Sequence, residues 1–274
     1  MSEKILKLKN NIAGILADSG NESSKEKPLV IFWNAGLLHK VGPFRMFVDL
    51  SAKLNQSGFD VFRFDLSGMG DSRSSTTLDL DRDRIISEIQ LVMDELSERF
   101  GFDRFILMGL CSGADNAFDV ALTDDRVHGL VLMDGYTYKT SMYYAYKYMK
   151  LFLNVMNPKK MLNYIKKRII NILSSDNEDM TDIAGYVREF PELERFQSSV
   201  HDLISRGVNL YFIYSGGYAS YAYSNQFYDF SGVEKESKQV DVAYFDQADH
   251  MYIIIESRVV LFSSIIDWIN KKCS

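Results

Sequence analysis

Short apolar runs and longer stretches with apolar residues three and four apart take turns along most of this chain. Ile12–Ala17 reads as a strand, and the polar segment 18–27 behind it as a loop. Leu29–Trp33 is a second apolar run, closed by Asn34-Ala35-Gly36. From Phe44 to Asn55 the residues Phe44, Phe47, Val48, Leu50 and Leu54 keep helical spacing, and Gly58 ends that helix before a strand at Val61–Phe64. Ile85, Ile86, Ile89, Val92, Met93 and Leu96 mark an amphipathic helix within 80–100. A strand at Phe105–Met108, a helix at Ser112–Leu122 and a strand at Val127–Met133 continue the alternation. Strands alternating with helices pair in parallel through right-handed crossovers, which gives a sheet covered on both faces.

The alternation breaks between 139 and 205, where the pattern is helical and shows no convincing strand. It resumes with strands at Asn209–Tyr214 and Val240–Phe245 and an amphipathic helix over Ser257–Asn270. The expected organisation is one α/β core built from 1–138 and 206–274. A helical lid, 139–205, is inserted after the sixth strand of its mostly parallel sheet. Internal repeats and low-complexity segments are absent from the sequence.

Composition narrows the class. The 274 residues are 46% hydrophobic and 25% charged, the balance of a chain that buries a core. A net charge of -6 argues against a nucleic-acid footprint spread over the whole surface. Two cysteines, Cys111 and Cys273, exclude a disulfide scaffold and suit a reducing compartment. The sequence holds no apolar run of the roughly 18 residues that cross a bilayer, and its first residues lack a signal-peptide pattern. A cytoplasmic protein without a transmembrane segment is expected. Charge is unevenly spread, however. Lys139, Lys147, Lys150, Lys159, Lys160, Lys166, Lys167 and Arg168 make 139–169 a stretch of +8 without one acid, so the remainder carries -14. This is either a solvated helix face or a lid whose field draws an anionic partner, such as coenzyme A phosphates, an acidic acyl-carrier protein or an anionic membrane surface.

Gly109-Leu110-Cys111-Ser112-Gly113 sits between an apolar strand and a helix. A nucleophile on such a sharp turn needs small neighbours, and the helix N-terminus behind it favours a thiolate and a developing oxyanion. The competing reading is a buried structural cysteine. Activation calls for a base, and four histidines exist: His39, His128, His201 and His250. His250, between the last strand and the last helix, is the candidate. His39 competes through its place beside Asn34–Leu37, while His128 and His201 read as structural. The orienting acid is harder to place, because Ser215-Gly216-Gly217 follows the strand ending at Tyr214 without a carboxylate. Asp134 at the end of the preceding strand is favoured. Asp229 lies too far along the chain, Asp249 is adjacent to the histidine and would face away, and a Cys-His pair without an acid is also open. Two backbone donors complete an oxyanion hole: Ser112, with either Gly36 or Leu37. Asn34, His39, Arg45, Tyr136 and Tyr143 are candidate substrate contacts, although for Arg45 a structural role is preferred. No Cys/His spacing fits a metal, and no cofactor is expected.

Together Asn34–Arg45, Arg63–Ser72, Gly109–Ala114, Tyr214–Gly217 and Ala248–His250 resemble the α/β-hydrolase superfamily, and within it the bacterial exosortase-associated or serine-aminopeptidase-like hydrolases. The resemblance covers nearly the whole core and is weakest over 139–205. It implies the α/β-hydrolase fold and acyl transfer or hydrolysis through a nucleophile–histidine pair, with ties to acyl-activating and acyl-carrier partners. This chain departs from the pattern in its cysteine and in its vacant acid position. The expected activity is thioesterase or esterase chemistry through an S-acyl intermediate on Cys111, with thioesters preferred. The alternatives are an acyltransferase using an acceptor other than water, and a binding module that has lost catalysis.

Overall fold

A computed structural model describes residues 2–21, 26–73, 81–156 and 188–273. Eight strands form a single sheet: β1 (Ser2–Lys7), β2 (Ala13–Asp18), β3 (Leu29–Phe32), β4 (Val61–Phe64), β5 (Phe105–Leu110), β6 (Val127–Met133), β7 (Asn209–Ser215) and β8 (Val240–Phe245). Their order is β1-β2-β4-β3-β5-β6-β7-β8. β2 runs antiparallel to both β1 and β4, and all other pairs are parallel. The expected mostly parallel α/β sheet is therefore present, with one strand that the pattern did not reveal. β1 exposes nearly every side chain and buries Leu6 alone. A solvent-facing edge strand carries no apolar run to read.

The helices are α1 (Met46–Gln56), α2 (Arg82–Phe100), α3 (Ser112–Ala121), α4 (Ser141–Met156), α5 (Leu193–Ser205), α6 (Gln226–Ser231) and α7 (Ile255–Lys272). Alternate strand residues point into two separate cores. Leu29, Ile31, Phe105 and Leu107 face the layer holding Ile89, Val92 and Met93 of α2, Phe118 of α3 and Phe196 of α5. Val30, Phe32, Ile106 and Met108 face Phe47 and Leu50 of α1 with Leu261, Ile265 and Ile269 of α7. Buried on both faces, β3 and β5 carry continuous apolar runs, which is why they were legible. α4 and α5 fall within the stretch 139–205 read as a lid from the sequence, whose central residues 157–187 lie outside the described ones. No described helix is long and apolar enough to cross a membrane.

Candidate active site

The site forms at the carboxyl ends of β5, β6, β7 and β8. Cys111 stands between β5 and α3 with φ 57° and ψ −124°, a backbone conformation that costs a non-glycine residue on the order of 1–3 kcal/mol. Its amide donates to the Met133 carbonyl at 2.8 Å, which fixes the turn to β6. The two flanking glycines are required by packing. A Cβ on Gly109 would lie 2.1 Å from the Gly113 carbonyl carbon, and one on Gly113 would lie 2.8 Å from the Asn34 carbonyl oxygen. Cys111 is part-exposed at the head of α3. Cys273 is buried against β6, and burial pushes its thiol up to about 12.

His250 lies in the loop between β8 and α7, and its Nδ1 donates to Asp134 Oδ2 at 2.7 Å. Besides Asp134, Cys111 is the group that acts most strongly on this ring. Burial works against charge on this imidazole. The bond to Asp134, with the nearby Asp134 and Cys111 groups, outweighs it and pushes the group up to about 10.

Asp134 follows β6 directly and is fully buried, with φ 49°. Its Oδ1 accepts from the Ser215 amide at 2.7 Å, and its Oδ2 from the Ser215 hydroxyl at 2.7 Å besides His250. The vacant position after β7 has a steric cause. A Cβ on Gly216 would sit 1.9 Å from the Asp246 carbonyl oxygen, and one on Gly217 would sit 2.5 Å from the His250 amide nitrogen. No side chain fits where the β7 loop crosses the histidine loop, so the carboxylate reaches the imidazole from β6. Asp249 accepts instead from the Met251 and Ile253 amides, and Asp229 from Tyr223.

The oxyanion candidates need one correction. The Gly36 amide donates to the Ser112 hydroxyl at 2.8 Å and is already committed, so of the two alternatives the Leu37 amide is left beside that of Ser112. The Ser112 side chain thus ties the loop after β3 to the head of α3.

The expected substrate contacts fare unevenly. The Asn34 amide donates to Leu38 O and Asp65 Oδ1 and its oxygen accepts from the Leu66 amide, which pins the loop after β3 to the loop after β4. His39 turns to Asp65 and Asp71 at 3.2 Å each, where buried Lys40 also bonds both carboxylates. His39, Asp65 and Asp71 have the spacing of a cation site, but the Lys40 ammonium already supplies the positive charge there. Arg45 is exposed with φ 66° before α1, and Tyr136 is buried with its hydroxyl on Asp119. Asn34, His39 and Tyr136 thus have protein partners, while Arg45 is exposed with no side-chain partner among the described contacts. Tyr143 alone of the five lines the open groove beside the site. That groove holds about 570 Å³ between α4 and the loop after β7, and Tyr146, Lys147, Tyr218 and Tyr244 also line it. Of the eight basic residues of the insertion, Lys139, Lys147 and Lys150 are described, and the other five lie outside the described residues.

Arg188 had no signal in the sequence. Its Nε and Nη2 donate to the two oxygens of buried Asp115 at 2.7 and 2.9 Å, and its Nη1 reaches Cys111 Sγ at 3.4 Å and the Tyr218 hydroxyl at 3.3 Å. Burial opposes its charge, but Asp115 and then Cys111 more than compensate and hold it cationic. Asp115 carried a weak signal, as an acid in the first turn of α3.

Comparison with known proteins agrees with this architecture. The sequence profile of the alpha/beta hydrolase fold matches residues 28–177, more than half of the chain, and the chain belongs to that family. Solved structures with the same fold include an esterase from Pyrococcus furiosus, 14% identical with TM-score 0.61, covering 100% of this chain and 91% of that one. A thermophilic esterase from Thermogutta terrifontis is 16% identical with TM-score 0.59 and covers 100% of both chains. A meta-cleavage product hydrolase from Pseudomonas fluorescens is 14% identical with TM-score 0.58, covering 98% and 97%. No curated protein matches the sequence significantly.

Proposed function

We propose that this α/β-hydrolase-fold chain transfers acyl groups through an S-acyl intermediate on Cys111, acting as a thioesterase on acyl thioesters of coenzyme A or an acyl-carrier protein. The observation that carries the reading is the grouping of Asp134, His250 and Cys111, with the imidazole 2.7 Å from a buried carboxylate and acted on by a part-exposed cysteine on a strained turn. His250 Nε2 takes the Cys111 proton, the thiolate sulfur attacks the thioester carbonyl carbon, and the carbonyl π electron pair moves to its oxygen. The Ser112 and Leu37 amides receive that oxyanion. As the tetrahedral centre collapses, the bond to the leaving sulfur breaks and His250 Nε2 protonates it. The neutral imidazole then takes a proton from water as water attacks the acyl-enzyme, and Cys111 is released. Asp134 holds the ring in register and balances its charge.

Thioesters are favoured over oxygen esters because exchange between two sulfurs is close to isoenergetic. The acyl-carrier or coenzyme A partner is supported by Lys147 and Lys150 on the aromatic groove beside the site. The binding-module alternative loses its main argument, since the vacant position after β7 is answered from β6. Short and medium acyl-pantetheines should leave an acyl mass on the wild-type chain, seen by intact mass spectrometry, and none on Cys111→Ala. Free thiol released in excess of one equivalent marks water as the acceptor. An acyl mass retained by Cys111→Ala would refute the assignment of the nucleophile.

A further inference from the structure

Beyond Asp134, His250 and Cys111, a fourth residue comes to the sulfur. The Arg188 guanidinium is mostly buried, with 15% of its side chain exposed. Its position is overdetermined: two bonds to Asp115, a contact of Nη2 with the Asp134 carbonyl oxygen at 3.4 Å, and the rings of Phe190 and Tyr218 at 5.1 and 5.8 Å. Nη1 is directed at the reacting atom, and among the described residues its partners are Cys111 Sγ and the Tyr218 hydroxyl. The Tyr218 hydroxyl itself donates to Gly135 O.

Acylation changes what Nη1 meets. A thiolate is a charged acceptor, whereas a thioester sulfur is neutral and accepts weakly. A buried cationic donor that loses its partner costs about 1–3 kcal/mol or more. The acyl group now occupies the space in front of Nη1, so the donor is satisfied when that group brings an oxygen with it. Resting on the Cys111 reading above, we propose that Arg188 is a specificity residue that selects acyl groups bearing an oxygen acceptor close to the thioester carbonyl, a carboxylate above a hydroxyl. Plain hydrocarbon acyl groups leave Nη1 with Tyr218 alone.

The test uses acyl-pantetheines of equal length that differ in that oxygen: succinyl, 3-hydroxybutyryl and butyryl. The measured quantity is the rate at which each acyl mass appears on Cys111. In the wild type, succinyl should acylate about tenfold or more faster than butyryl, with 3-hydroxybutyryl between them. Arg188→Met should bring the succinyl-to-butyryl ratio close to one, and Arg188→Lys, which keeps the charge and loses the fork, should give an intermediate ratio. The wild-type ratio needs no variant, so a poorly folding substitution does not remove the test. Equal wild-type rates, or a ratio that survives Arg188→Met, overturn the role of Arg188 and leave the Cys111 chemistry standing. Neither an adduct nor thiol release from any of the three overturns both.

Discussion

The two sides of the site are built in opposite ways. On the elbow side, Gly109 to Gly113 are contiguous, and their constraints lie within the segment or against its immediate neighbour Asn34. On the acid side, Asp134, Ser215 and His250 come from three segments more than a hundred residues apart at the extremes, joined by bonds of 2.7 Å. The elbow advertises itself because a tight turn demands glycines at fixed spacing. The acid corner does not, because a carboxylate can reach the same imidazole from either of two adjacent strands. The comparison shows how one side can be rearranged while the other stays fixed: glycine at 216 and 217 lets the β7 loop cross the histidine loop, and Asp134 then serves from β6.

The sharpest way to test that division is to remove the displaced acid. Asp134→Asn keeps the shape but loses the charge opposite His250, and acyl-enzyme formation should fall by about a thousandfold or more, as loss of an orienting carboxylate does in serine triads. A rate within a few-fold of wild type, in a stopped-flow thiol-release assay, would leave Cys111 and His250 acting as a pair without an acid.

The same variant has a pH signature. The folded His250 titrates near 10 against an ordinary value of 6.5 in the unfolded chain. Its contribution to stability is therefore complete below about 6.5 and is lost as pH rises toward 10. Chemical denaturation should show the wild type losing stability between about pH 7 and 10. Asp134→Asn should lose markedly less over that interval, and histidine NMR should place its ring well below 10.

Returning a side chain to the vacant position probes the steric half of the comparison. Gly216→Ala would place a Cβ 1.9 Å from a backbone oxygen, and the stability lost should be about 3 kcal/mol or more. A melting temperature equal to wild type would mean the two loops are free to part. Smaller still is Ser215→Ala, which takes away one of the three bonds on Asp134 and leaves the other two. It should lower the acylation rate by about tenfold at most, an effect of around 1 kcal/mol.

Reading outward from these residues, most of the fold was legible before any coordinates. β3, β5 and β6 announce themselves as apolar runs because both their faces are covered, whereas β1 has one buried side chain and leaves no such trace. Asn34, His39 and Tyr136 stood in suggestive places and bond to neighbouring loops and core, whereas Arg45 stays exposed on its left-handed turn. A one-residue rotation of backbone or a χ angle decides whether a loop residue faces substrate or protein, and residue type does not record it. Gly36 is the same lesson in miniature, its amide taken by a hydroxyl 76 residues away.

What the chain dictates by itself is whatever depends on neighbours in sequence: the periods that make strands and helices, the glycines of the elbow, and a histidine set just past the last strand. Asp134 was the favoured acid among open alternatives; tertiary structure put its carboxylate 2.7 Å from His250, and it alone placed Arg188 3.4 Å from the sulfur. Those contacts join segments whose separation along the backbone carries no record of their meeting. They exist because the parallel sheet brings the ends of β5 to β8 to one edge, where buried charges are stable only beside partners that compensate them.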